Sequence, residues 1–179
     1  LTVALGGKIV ALITSGQVDS ALELAERCVA LAESIYPKND PRLHKSLRAL
    51  GLTLEKKGDQ AGAEKAFLRG YTILSISVGV QCVEAQMLIE DLCNLCVRRG
   101  DLEAAERHVR KHHKAMSEKT LQGRELAMFA DSAARLANLI VRKGAGGEAE
   151  AEELVRTALD IREKVQPPQP VGIAVALCQ

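Results

Sequence analysis

Tryptophan is absent, and the only aromatic residues are Tyr36, Phe67, Tyr71 and Phe129. So sparse a set cannot supply the successive stacking platforms on which nucleic-acid bases are read. Charge of one sign is missing too: 24 basic residues stand against 23 acidic ones, a formal charge of +1. Nucleic acid needs concentrated positive charge and is not an expected partner. No run of 18 apolar residues occurs, so no membrane span is expected. Residues 1–13 are apolar but follow no basic start and hold the helix-hairpin register, so they are not expected to be a secretory signal. The chain does not begin with Met and reads as an excised fragment or a processed product. Catalytic signatures are lacking as well. There is no nucleophile elbow, no Walker loop, no dinucleotide-binding glycine fingerprint and no convergent acid, base and nucleophile. The sequence therefore reads as a protein that is not an enzyme and carries no cofactor.

A period is present instead. Gly16, Gly58 and Gly100 stand 42 residues apart, each followed five residues later by an alanine: Ala21, Ala63 and Ala105. A fixed spacing in this range marks stacked repeats, whose extended surface suits binding. The second unit is clearest. Leu47, Leu50 and Leu54 share one helical face. Gly51 falls where two helices cross closely. Gly58 and Asp59 end one helix and cap the next. Ala63 and Phe67 set a small residue beside a large one, one turn apart, which suits ridge-into-groove packing. Unit one repeats the scheme with Leu5, Ile9, Leu12, Ala25 and Cys28, and unit three with Ile89, Leu92, Cys93, Cys96, Asp101 and Val109. Unit four has Ala133, Leu136, Ala137, Ile140, Ala151, Val155 and Ala158 after an inserted Gly-Ala-Gly-Gly at 144–147. That insertion shifts its second helix by two residues. Helices are expected at 1–14, 17–35, 41–57, 60–77, 80–99, 102–118, 121–143, 147–165 and 169–178.

This pattern resembles the tetratricopeptide repeat (TPR): large, Leu-Gly, large, then Ala and Phe. The 42-residue length, with proline-bearing stretches at 33–41 and 161–170, is similar to the kinesin light chain type. The aromatic usual at the eleventh TPR position is replaced by Leu12, Leu54, Cys96 and Ile140. The resemblance implies an all-α, right-handed superhelical solenoid of helical hairpins. It implies one domain over 1–179, with repeats at 1–39, 40–81, 82–123 and 124–167 and the start of a fifth at 168–179. It implies a non-catalytic scaffold whose concave face, lined by the first helix of each hairpin, binds an extended peptide or a partner helix. By register the exposed inner positions include Arg48, Leu52, Glu55 and Lys56, then Glu90, Asn94, Val97 and Arg98, then Ala134, Asn138, Val141 and Arg142. In that family an asparagine at the place of Asn94 and Asn138 hydrogen-bonds a peptide backbone, which suits a carboxamide that both donates and accepts. Arg98 and Arg142 could hold acidic side chains. The candidate groove is therefore Arg48, Leu52, Asn94, Val97, Arg98, Asn138, Val141 and Arg142. The Lys and Asn clamp by which chaperone-binding TPRs grip a terminal carboxylate is absent, with Gly6, Val10 and Ala49 at the corresponding places.

Other constellations read as packing. Cys93 and Cys96 fall on core positions and have no second pair at zinc spacing. His108 and His112 are one turn apart, as metal ligands can be, but no Glu follows His108, so the metalloprotease motif is missing. His112 takes the place of Cys28, Gly70 and Ala158 inside a hairpin, and the stretch around it reads as packed or solvated residues. The five cysteines, Cys178 included, suit a reducing compartment, hence the cytoplasm. Residues 171–178 are apolar and uncharged, unlike a polar terminal cap. They point to a chain that continues, or to self-association through 171–178. This assembly module is one alternative to peptide binding; a regulatory domain of a larger enzyme is another.

Overall fold

The computed structural model describes residues 2–144 and 146–165. The described residues are helical, with no strand. The α-helices are α1 (Thr2–Thr14), α2 (Val18–Ile35), α3 (His44–Lys57), α4 (Gln60–Ser77), α5 (Val83–Arg98), α6 (Leu102–Ser117), α7 (Arg124–Lys143) and α8 (Glu148–Lys164). A short 3-10 turn, Pro41–Leu43, leads into α3 and makes a separate element of the expected start at 41. α5 begins at Val83, three residues later than the apolar pattern suggests, because Gly79 turns the chain at φ +114° and residues 79–82 close that turn. The expected ninth helix, 169–178, lies outside the described residues.

The repeat is built by one turn used again and again. Gly16, Gly58 and Gly100 all lie at positive φ, between 78° and 91°, a region open to glycine because it has no Cβ. Around Gly58 its amide donates to the Glu55 carbonyl at 3.0 Å, and the Asp59 amide donates to Leu54 at 2.9 Å. The same two bonds recur at Gly16 and Gln17, with Ile13 and Leu12, and at Gly100 and Asp101, with Val97 and Cys96. This is the Schellman closure of a helix C-terminus. Asp59 and Asp101 then cap the next helix, each accepting from the amide three residues on (Gly62 and Ala104) at 2.9 Å. Replacing either aspartate by alanine should cost about 1 kcal/mol, read by thermal unfolding. Asn in its place should restore most of the loss.

The chain divides into two compact units, residues 1–95 and 96–179. In the first, α1 packs on α2 and α3, α2 on α3, and α3 on α4. One cluster joins Ile9 to Ala21, Ala25 and Cys28; another joins Val29, Ala32 and Leu43 to Leu47 and Ile73. Gly51 is the close crossing: a Cβ built there would come within 2.5 Å of the Phe67 ring. Ion pairs tie α2 to the next hairpin, Asp19 to Lys57 of α3 at 3.0 Å and Glu33 to Arg69 of α4 at 2.5 Å.

In the second unit α6 packs on α7, and α7 on α8. Ala130, Ala133 and Ala158 form the α7–α8 core. Glu106 of α6 takes Lys143 of α7 and Arg110 of its own helix, both at 2.7 Å, and Arg110 also reaches Glu150 of α8. Hydrogen bonds from Lys143 first, then Arg110, hold the Glu106 carboxyl below its ordinary range. Asp131 of α7 pairs with Arg162 of α8. The two-residue shift of α8 is present: Ala151 and Ala158 stay buried although three residues, not one, stand between Gly144 and the start of α8.

Candidate functional site

The first unit carries an apolar cleft of about 350 Å³. Every residue lining it belongs to a first helix: Gly6, Ile9, Val10 and Ile13 of α1, His44, Lys45, Arg48, Ala49 and Leu52 of α3, and Glu84 and Met87 of α5. Neither α2 nor α4 contributes. Packing explains this. The second helices bury small residues at the hairpin crossing, Ala21, Ala25, Ala63 and Ala66, against their own partners. The outward row of the first helices is left to form a surface. On α1 that row is Gly6, Val10 and Ile13, at i, i+4 and i+7. Val10 is 55% exposed and Met87 37% exposed, so the cleft keeps aliphatic side chains in contact with water.

Its electrostatics are nearly closed on themselves. Arg48 spans from α3 to α5 and grips Asp91 with two bonds, Nε to one carboxylate oxygen at 2.5 Å and a second nitrogen to the other at 3.4 Å. Both side chains are partly buried, which strengthens such a fork. Lys45 and Glu84 add one charge of each sign. A second, more polar hollow of about 360 Å³ shares His44, Lys45 and Glu84 and adds Tyr36, Pro41, Arg42, Leu74 and Val78. There Arg42 lies 3.9 Å over the Tyr36 ring while chelating Asp40, whose carboxyl is held at about 2 by that hydrogen bonding.

Of the residues expected to bind, Arg48 and Leu52 are brought together in this cleft, and Arg48 is committed to Asp91. Asn94 is exposed on α5 but is not among the lining residues. In the second unit Val97 is half-buried and Arg98 exposed at the end of α5. Asn138 is half-buried on α7, and Val141, 61% exposed, and Arg142, exposed, share its face one turn on. Sequence reasoning missed Val10, Ile13, Lys45, Glu84 and Met87. The signal was available: Gly6, Val10 and Ile13 hold in unit one the register positions of Arg48, Leu52 and Glu55.

The histidine stretch packs in the second unit. His112 is fully buried, and burial first, then the charge of His113, pushes it down to about 4. His113 stacks on Phe129 at 4.4 Å, with its Nδ1 2.8 Å from the Ser132 hydroxyl. That hydroxyl donates to the Phe129 carbonyl and so accepts from Nδ1–H. Cys28, Cys82, Cys93 and Cys96 form no disulfide, and Cys28, Cys93 and Cys96 are buried.

Recurrent glycine turns, hairpin cores and an outward face of first helices define an all-α fold of TPR-like repeats. Compared by sequence, the chain matches no protein-family model and no curated protein. Compared by structure, it is similar to nearly identical TPR-like repeats of kinesin light chain type from Podosopora anserina. A variant of that protein matches at 18% identity and TM-score 0.72, covering 97% of this chain and 80% of the other. Another structure of it matches at 19% and 0.68, covering 98% and 84%. BtubC (BKLC) from P. vanneervenii matches at 16% and 0.71, covering 95% of this chain and 66% of its own. Among the described residues no helix is long and apolar enough to cross a membrane.

Proposed function

We propose that the chain is a non-catalytic protein-interaction scaffold, working as a single repeat domain over 1–179. It binds an extended segment of a protein partner on the face of its first helices. The observation that carries this reading is the apolar cleft of the first unit, whose lining comes entirely from α1, α3 and α5. Concave, mostly apolar surfaces with a few placed polar groups are the usual form of a recognition site. The occupant inserts aliphatic side chains beside Val10, Leu52 and Met87. Asn94 supplies backbone hydrogen bonds. In the second unit Asn138, Val141 and Arg142, with Val97 and Arg98, present the same chemistry and favour an acidic residue in the partner. Buried cysteines outside any disulfide suit a reducing compartment such as the cytoplasm.

An unbiased peptide-display selection tests this. One motif with an aliphatic anchor should be enriched, lost with Val10→Asp/Leu52→Asp and weakened at least tenfold with Asn94→Ala/Arg98→Glu. No enrichment, or enrichment that the cleft variant keeps, would overturn the reading.

A further inference from the structure

The cleft has a floor that the fold itself does not require. α1 carries adjacent glycines, Gly6 and Gly7, inside a 13-residue helix. Each costs roughly 1 kcal/mol of helix stability relative to alanine. Elsewhere such a cost has a visible cause: a Cβ at Gly51 or Gly70 would press on Phe67 or Leu88. A Cβ at Gly6 or Gly7 would meet no described atom within 4 Å. Gly6 thus opens the cleft to close approach from outside the unit. Beside it the surface is aliphatic, and its charges cancel: Lys45 and Arg48 against Glu84 and Asp91. A charged occupant gains little from such a surface. An uncharged occupant with small and branched aliphatic side chains leaves no group unpaired when it displaces water.

The chain contains one segment of that composition. Residues 171–178 read Val-Gly-Ile-Ala-Val-Ala-Leu-Cys, eight residues without a charge, aromatic, hydroxyl or amide side chain. Such a run needs burial. We infer that the cleft of one copy takes residues 171–178 of a second copy, and that the exchange is reciprocal, giving a closed dimer. A one-way exchange would leave a free cleft and a free segment at each end and grow without closing. The inference rests on the reading of the cleft as a protein-binding surface.

The test is sedimentation equilibrium of the full chain from 1 to 200 µM under reductant, so that Cys178 cannot cross-link copies. The expected result is a monomer–dimer equilibrium. Val10→Asp, on a side chain already exposed, and Ile173→Asp in the segment should each weaken it at least tenfold. Circular dichroism would confirm that both variants remain helical. Mixing the two should restore dimer at concentrations where each alone is monomeric, because a mixed pair keeps one intact cleft and one intact segment. A monomer throughout the range overturns the inference, as does a dimer indifferent to both substitutions or a mixture that restores nothing. A monomer whose cleft still enriches display peptides would leave the proposed function standing while this inference falls.

Discussion

Phe67→Ala should remove about 3–5 kcal/mol of stability, among the largest losses from any single substitution in the first unit. The ring is fully buried and lies over Gly51, filling the place where a side chain on α3 would stand. Truncation leaves a cavity that two packed helices cannot close. The reverse change, Gly51→Leu, should cost roughly 1–3 kcal/mol or more through overpacking, against a helix-propensity gain below about 1 kcal/mol. Combined, the two should partly cancel, because the new leucine enters the space the ring has left. The double variant should be more stable than the sum of the single losses by about 1–3 kcal/mol. Urea unfolding followed by circular dichroism measures this cycle. Strict additivity would mean that the two positions do not share one packing site.

Acid should destabilise the second unit well above the range in which its carboxylates titrate. His112 is neutral in the fold and pushed down to about 4, while the unfolded chain takes up its proton near the ordinary histidine value. Between those values the unfolded state binds the extra proton, so stability falls as pH falls. Over the whole interval the loss is about 3 kcal/mol, and between pH 6.5 and 5 about 2 kcal/mol. His113 acts in the same direction, held low by burial first and Arg110 second. Glu106 and Glu150 are both held below their ordinary value by cationic partners and contribute only at lower pH. Unfolding free energies at pH 7, 6 and 5 should therefore slope, and His112→Gln should reduce the slope by about one proton. An unchanged slope in that variant would sink the assignment.

What the sequence discloses and what it withholds divide along a physical line. The period, the turn glycines, the caps at Asp59 and Asp101, the crossing at Gly51 and the packed place of His112 depend on residue type at short spacing. These are legible without coordinates. Arg48 was legible as a surface cation of the inner face, but its partner Asp91 lies 43 residues on, in the next first helix. Nothing local announces that pairing. The cleft was harder still, because Gly6, Val10 and Ile13 carry no polar chemistry to draw the eye. The missing clamp residues argue against one ligand class without pointing to another. The start of α5 was misplaced because apolar residues continue upstream of Val83 through a turn that Gly79 governs.

The turn between α7 and α8 has one more consequence. Two added residues at 144–147 leave Ala151 and Ala158 seated as their counterparts Ala105 and His112 are. Seating in this hairpin is therefore indifferent to the length of its connector. That makes the connector a natural splice point: an epitope, a protease site or a small guest domain could be grafted there, and both helices would still find each other. The three Schellman turns offer no such freedom, since their closing bonds count residues.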